Sequence, residues 1–386
     1  MPKPSRPSSL LSGTPLGSRS ILREILVRGP LSRTDLATAL DLTLPNVSRL
    51  TRPLVELGVL VETTERVTGL GRPRQPLDVA IDDHRVVGVK VTADHLYAVC
   101  TDLRARVVAE THEPLTTTEP DAVAEQIAAM VVRLADGTDI VRGVGVTIGG
   151  HAPDRSTVAS APWLGWSDVD VAGRLSERTG LPSVVDNDVA GTTGFLHWFG
   201  SARTLDRFAV ITVGAGVGFA LVTHNRIVRS RSADLNGLGQ HVVAVAGDGT
   251  VRTAASYLTT AAICERASTA YGSELTHARV LELAREGDPA CRQVVDEAVA
   301  VLGHLVASVA DFALVEHVVL SGEGILLAAE HREALESVVR TRRPADDGPV
   351  MDVHGVDFTE WARGAAVLAI QEFVAAPSTV HPTLGG

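Results

Sequence analysis

The sequence predicts an α/β protein built as an N-terminal winged helix-turn-helix followed by a larger α/β body. Three observations lead there. At 386 residues the chain exceeds one ordinary compact domain. Formal charge changes sign along it: residues 1–80 hold 11 Lys+Arg against 7 Asp+Glu, and the remainder holds 24 against 39. Hydrophobic spacing changes as well, from three short helical runs and a strand–turn–strand before residue 80 to strands alternating with helices beyond it.

Residues 1–17 read as a loose, polar lead-in that lacks the apolar core of a signal peptide. From residue 18, Ile21, Leu22, Ile25 and Leu26 repeat at helical spacing until Gly29-Pro30 ends the run. LSRTDLATAL then offers Ser32 as N-cap with Asp35 three residues on, while Leu36 and Leu40 form an inward stripe. After the turn at Asp41-Leu42, Thr43 caps a third helix. Pro45 fits its first turn, where amide protons lack intrahelical acceptors. Val47, Leu50, Leu54 and Leu57 share one face; Asn46, Ser48, Arg49 and Arg52 lie on others. Pro53 removes the donor to the carbonyl of Arg49, so a kink or a tightening is expected there. Such a third helix enters the major groove, where Asn and Arg side chains pair with adenine and guanine edges. The candidate DNA contacts of this module are Ser32, Arg33, Thr43, Pro45, Asn46, Ser48, Arg49 and Arg52. A small helical bundle with solvated arginines is the competing reading.

Beyond Gly58, VLVETTERVTGLGRPRQPLDV reads as the strand, turn and strand of a wing. Gly71-Arg72-Pro73-Arg74 is extended, slim and doubly cationic, which suits a narrow minor groove where negative potential is strongest. Arg72 and Arg74 therefore join the candidate contacts, and the same ribbon also serves as the linker that closes the module at residue 80. The net charge of −11 argues against wholesale coating of nucleic acid or of an acidic membrane. Cys100, Cys264 and Cys291 lie too far apart to suggest a disulfide framework or a metal knuckle, and a reducing cytoplasm fits. FAVITVGAGVGFALVT, from Phe208, is broken by glycine and reads as two strands around a turn, so no membrane anchoring is expected.

In the body, VVGVKVTADHLYAVCTDLRARVVAE from Val86 reads as a hairpin or meander, and AVAEQIAAMVVRLA as a helix. VRGVGVTIGG ends in glycines, as a buried strand meeting a loop would. APWLGWSDVDVAGRLSERTG leads through a loop into a helix, and LPSVVDNDVAGTTGF runs from strand to loop to helix. Farther on, DEAVAVLGHLVASVADFALVEHVVLSGEG is a long apolar helix, a buried strand and a glycine turn. WARGAAVLAIQEFVAA is a last amphipathic helix, and residues 377–386 fray as a tail. This alternation places sites at strand ends.

Winged helix and GRP ribbon are followed in order by P-W-L-G-W (162–166), D-N-D-V (186–189), V-G-A-G-V-G (213–218) and A-R-G-A-A (362–366). The ordered set resembles the ROK family of repressors, open reading frames and sugar kinases. It looks in particular like the family's transcriptional repressors, which join a winged helix to a sugar-kinase-like body. The resemblance covers nearly the whole chain from about residue 18. It implies an actin-like, ribonuclease-H-like body with a ligand cleft between two lobes: residues 84–190, and residues 191–376 with the last helix returning to the first lobe.

In the family's kinases a carboxylate deprotonates the sugar hydroxyl while glycine turns hold the nucleotide phosphates. The resemblance puts Asp188 at that base and Asn187 at a sugar hydroxyl, with Gly149, Gly239 and Gln240 completing the candidate ligand set. The nucleotide side departs from the pattern. Where kinases carry Asp-x-Gly-x-Thr, this chain reads Gly88-Val-Lys-Val-Thr-Ala-Asp94, and a turn that is often GTG reads Gly214-Ala215-Gly216. Without phosphate positioning and metal support, phosphoryl transfer loses its largest accelerations, so no kinase activity is expected. The family's Glu-x-Gly-His, with its cysteine cluster for zinc, is matched by Gly237 for the glutamate and Gln240 for the histidine, and no cysteines follow. His241 alone cannot supply a tetrahedral site, so neither zinc nor another cofactor is expected. Two readings of the cleft stay open: it binds a different sugar or metabolite, or it has lost its ligand and serves as a dimerisation scaffold. Asn187-Asp188 also reads as a plain helix cap. The expectation is a homodimer or homotetramer that grips duplex operator DNA, most simply as a repressor. A sugar kinase with an added domain and an architectural DNA-binding protein are the rivals.

Overall fold

The computed structural model describes residues 10–63, 75–136, 140–230, 237–245, 247, 249–343 and 348–375. Arg72, Arg74, most of the lead-in and the tail lie outside them. Two compact units emerge, Met1–Arg203 with Trp361–Gly386, and Thr204–Glu360.

The first unit opens with α1 (Leu16–Arg28), α2 (Arg33–Ala39), α3 (Leu44–Glu56), β1 (Leu60–Glu62) and β2 (Leu77–Val79). Ile21, Leu22, Ile25, Leu26, Leu36, Val47 and Leu54 are all but fully buried and form the core of this module. Gly29, at φ 98°, stops α1 in a conformation that L side chains rarely adopt. Ser32 and Asp35 form a reciprocal capping box at the start of α2, each side chain accepting from the other's backbone amide at 3.2 Å. Thr43 stands at the N-cap of α3 without a side-chain bond, and Pro45 lies in the first turn. The helix runs unbroken through Pro53, whose missing donor falls opposite the carbonyl of Arg49, an exposed residue. Leu57, expected on the inner face, is exposed at the C-cap, and Thr51 is buried on α3 along with Val47, Leu50 and Leu54. Antiparallel pairing of β1 with β2, extended by Leu31 on the far side of β2, forms the base of the wing.

A lobe follows: β3 (Arg85–Val91), β4 (His95–Asp102), β5 (Val107–Pro114), α4 (Pro120–Ala135), β6 (Val141–Ile148), β7 (Thr157–Ala161), β8 (Trp166–Asp170), α5 (Val171–Thr179), β9 (Ser183–Asn187) and α6 (Asp188–Trp198). Its sheet has the order β5-β4-β3-β6-β9, antiparallel across the first three strands and parallel across the last three. Apolar side chains of α4 and α5, among them Ile127, Met130 and Leu175, pack with Val87, Val89, Val144 and Val146 in one core.

The second unit contains β10 (Phe208–Val213), β11 (Val217–Thr223), β12 (Arg226–Ile227), β13 (Val242–Val245), β14 (Val251–Thr253), α7 (Ala255–Leu258), α8 (Thr260–Tyr271), α9 (His277–Glu286), α10 (Pro289–Ala313), β15 (His317–Gly322), α11 (Leu326–Glu330), α12 (Arg332–Arg342) and β16 (Val350–Gly355). Its sheet, β12-β11-β10-β15-β16, repeats the first lobe's plan strand for strand, three antiparallel and then two added in parallel. Among the described residues α10 is the one helix long and apolar enough to cross a membrane, and 67% of its apolar window is buried in this core.

The chain returns to the first unit as α13 (Phe358–Val374). The A-R-G-A-A motif belongs here because backbone meets backbone. A Cβ on Gly145 would stand 1.9 Å from the carbonyl oxygen of Ala365, and one on Gly88 would stand 2.2 Å from that of Ala362. Gly364 crosses Gly191 of α6 equally closely. The boundary expected at residue 190 falls inside α6, and the observed division comes after Arg203, with the whole of α6 on the first unit.

Polar contacts bind the winged helix to this lobe. Arg19 of α1 donates to the carbonyls of Ala375 and Leu11, and Arg104 pairs with Asp78 and donates to Ile25 O. His84 meets the carbonyl of Gly58, just past α3, at 3.3 Å.

Candidate DNA-reading face and ligand site

The N-terminal half of α3 is turned to solvent. Thr43, Leu44, Pro45, Asn46, Ser48 and Arg49 are exposed, while Val47 and Leu50 anchor the helix from behind. Arg49 has no hydrogen bond or ion pair among the described residues, so its guanidinium is available to an incoming acceptor. Arg52 is engaged: its Nε lies 2.7 Å from Glu56 one turn on. Arg33 is paired with Glu62 of β1 at 2.7 Å. Ser32 departs from the expectation of a DNA contact, because it is buried and its hydroxyl is committed to Asp35 at 2.6 Å. It starts the helix.

The second constellation lies in the first lobe, where β6 and β9 end beside each other. Asn187, only 3% exposed, accepts from Val189 N at 2.8 Å and donates to Gly150 O at 2.7 Å. Both ends of its amide are thus used in capping α6 and holding the glycine loop after β6. Asp188 follows as the first residue of α6. Its Oδ1 accepts from Val189 N at 2.9 Å, and its Oδ2 is in direct ion-pair contact with Lys90 Nζ of β3. Lys90 also stands 5.6 Å from the centre of the Trp361 ring at the start of α13. Asp186, buried on β9, faces the guanidinium of Arg155 at 3.6 Å.

Lys90 was missed by reading the sequence position by position. It lies within residues 88–94, the stretch that departs from the kinase pattern. A signal was present nonetheless, because a lysine inside an otherwise valine-rich buried strand needs a partner of opposite charge. Both carboxylate oxygens of Asp188 are thus engaged, one by that ammonium and one by a backbone amide.

Gly239 and Gln240 belong to the second unit, in a 3-10 turn, Gly237–Gln240. Gly239 is buried against Val217 and Ala255, whereas Gln240 and the adjoining His241 are exposed. In the same unit Gly214-Ala215-Gly216 links β10 to β11, and Glu323, in the turn after β15, accepts from Ala215 N at 2.7 Å. A carboxylate therefore occupies the backbone donor of the turn that would face a phosphate. No group of three or more His, Cys, Asp or Glu side chains able to hold a metal ion occurs among the described residues.

Comparison with known proteins agrees with both halves of this layout. The model of the ROK family matches residues 86–372, and a winged helix-turn-helix DNA-binding model matches residues 18–61. The transcriptional regulator Rv0485 of Mycobacterium tuberculosis is 27% identical over 345 residues, spanning 83% of this chain and 76% of its own. The xylose repressor of Caldicellulosiruptor bescii is 23% identical over 346 residues, spanning 83% and 86%. Among solved structures, a ROK family transcriptional regulator described as a homolog of the E. coli MLC protein superposes with a TM-score of 0.78 at 17% identity, over 93% of this chain and 97% of its own. A ROK hexokinase from Thermus thermophilus gives 0.65 at 23% identity, over 75% and 98%. These two likenesses concern the fold.

Proposed function

The chain belongs to the ROK family, and from that premise we propose how it acts: as a DNA-binding transcriptional regulator whose body senses a small molecule without phosphorylating one. The observation that carries the reading is the exposed polar face of α3, with Arg49 unengaged at its centre, on a winged helix-turn-helix. Asn46 and Arg49 read base edges in the major groove, and Thr43, Ser48 and Arg33 position the helix on the phosphates. Arg72 and Arg74 of the ribbon enter the adjoining minor groove. The protein works in the cytoplasm as a homodimer or homotetramer, so that two winged helices meet two half-sites and bind with linked avidity. It represses.

Asp188 is the polar anchor of the effector, an uncharged sugar or related metabolite, and Asn187 holds the helix that presents it. Gly149 leaves room beside them. Lys90 engages Asp188, the residue that the kinase resemblance makes a base, and within the second unit Glu323 engages the glycine turn that the resemblance makes a phosphate cradle. The kinase rival needs both.

One experiment tests the central claim. Duplexes selected from a random pool by the full-length protein should bind at least about 10³-fold tighter than unrelated DNA at physiological salt. Equal affinity for both would overturn the regulator reading in favour of an architectural one. A coupled assay with ATP and D-xylose, D-glucose or N-acetylmannosamine should give no turnover, and turnover at ordinary kinase rates would restore the enzyme.

A further inference from the structure

Two helices of the first unit, α6 and α13, run from the Lys90–Asp188 pair to the winged helix. Asp188 is the first residue of α6, and the ring of Trp361, near the start of α13, is centred 5.6 Å from Lys90 Nζ. At their far ends both helices meet α1. Trp198, the last residue of α6, has the guanidinium carbon of Arg23 5.6 Å from its ring centre. Arg19, one turn before Arg23, donates to Val374 O at 3.4 Å and to Ala375 O, at the C-terminal end of α13, where unpaired carbonyls favour a cation. Arg363 of α13 adds a third tie. Its guanidinium lies 4.3 Å from the Phe195 ring of α6, and its Nε donates at 2.6 Å to Ala105 O, in the turn whose Arg104 grips Asp78 and Ile25 O.

Between those ends the two helices are locked together. Residues 189–198 are all buried, and a Cβ on Gly364 would stand 2.8 Å from the carbonyl carbon of Gly191. So close-packed an interior passes a displacement on instead of absorbing it. α1 in turn presses on the reading helix, since a Cβ on Gly17 would stand 2.8 Å from Cδ1 of Leu50, the neighbour of Arg49.

We propose that Arg23 and Trp198 are positioning residues for DNA reading, and that the crossed helices α6 and α13 make the seat of α1 depend on whether Lys90 and Asp188 are joined. With the pair closed, Lys90 holds the starts of both helices together through Asp188 and Trp361, and their ends give Arg19 and Arg23 one fixed footing. A group that takes Asp188 from Lys90 releases the start of α6 from that of α13, tilts their crossing and moves Trp198 under Arg23. The winged helix then loses the footing that sets the direction of α3. An effector reaches this second state by engaging Asp188, so that step rests on the sensing reading above, whereas the route along the helices does not. A ligand shifts such an equilibrium only through its different affinity for the two states, and coupling of this kind is typically about fivefold or more.

The test opens the pair without a ligand. Lys90→Ala/Asp188→Asn removes both charges together and is made in the full-length protein, alone and combined with Arg23→Gln or with Arg23→Lys. Amide exchange of α1 and α3 is read without DNA, and fluorescence anisotropy is read on the selected operator. Exchange of β10 and α10, in the second unit, reports that each variant is folded. The double substitution should speed exchange in α1 and α3 and weaken operator binding about fivefold or more. On the Arg23→Gln background it should add less than about twofold, and Arg23→Lys, which keeps a cation over the indole, should restore the response. Equal effects on the wild-type and Arg23→Gln backgrounds would overturn the route through Trp198. Unchanged exchange and affinity in the double variant would overturn the coupling while DNA reading stands. If the wild type prefers no duplex, the regulator reading falls, and the exchange data alone still decide the coupling.

Discussion

Arg49 and Arg52, three positions apart on α3, differ in what a DNA phosphate or base must displace. Arg49 is unengaged, whereas Arg52 already holds Glu56 within one helical turn. Arg49→Ala should cost about 1–3 kcal/mol of operator affinity and relax preference at the bases it reads. Arg52→Ala should cost less, because the lost guanidinium is partly neutralised beforehand. Fluorescence anisotropy on the selected operator and on singly substituted versions checks both, and equal losses would put the reading face elsewhere. A second contrast concerns Lys90. Its removal leaves Asp188, whose side chain is 17% exposed, without its cation. Lys90→Ala should therefore lower stability by about 3 kcal/mol in denaturant unfolding, and adding Asp188→Asn should recover most of that. The charge pair was half legible: Asp188 stood out by resemblance, while Lys90, inside the stretch 88–94 that departs from the kinase pattern, was not singled out. Glu323 left no local trace, because its contact with Ala215 spans more than a hundred residues.

Elements that depend on neighbours in sequence were the most legible. The start of α2 followed from Ser32 and Asp35 alone, and the end of α1 from Gly29. Sheet order was not readable from spacing, since β6 pairs with β9 and β10 with β15 across long connections. The Ser32 hydroxyl was assigned to DNA because a capping serine and a phosphate-binding serine look alike in a sequence; burial separates them. Packing of α13 makes the sharpest prediction at this scale. Gly145→Ala would drive a methyl group into the carbonyl of Ala365, so either α13 lifts from the sheet or the strand bends. A loss of about 3 kcal/mol is expected, against about 1 kcal/mol for Ser32→Ala at a helix cap. Urea unfolding of the two variants side by side tests the order, and a Gly145→Ala protein as stable as wild type would refute the close packing.

At the scale of the first unit, the winged helix is joined to the lobe by a few polar contacts, and one of them titrates. His84 is buried between the two. It faces Gly58 O at 3.3 Å through Nε2, Arg142 Nε at 2.9 Å through Nδ1, and the ring of Phe373 on α13 at 6.2 Å. A neutral imidazole satisfies both polar partners, donating to the carbonyl and accepting from the guanidinium. Burial first, and the Arg142 charge second, push its pKa below the usual 6.5; the Gly58 carbonyl and Asp83 oppose this, and Arg85 adds to it. The unfolded or undocked chain therefore binds a proton that the docked state refuses. Docking is at full strength above the ordinary histidine value and weakens as pH falls below it toward the lowered folded value. His277, half-buried in the second unit, is shifted the same way by burial and contributes to overall stability, but it belongs to the other unit. Amide hydrogen exchange separates the two. Protection of α1 and α3 should fall as pH drops below the ordinary histidine value of 6.5, and His84→Gln, which can donate to Gly58 O and accept from Arg142 without titrating, should flatten that fall while leaving the second unit's response in place. A wild-type winged helix whose protection ignores pH, or a glutamine variant with an undiminished fall, would show that the junction is held by Arg19 and Arg104 instead.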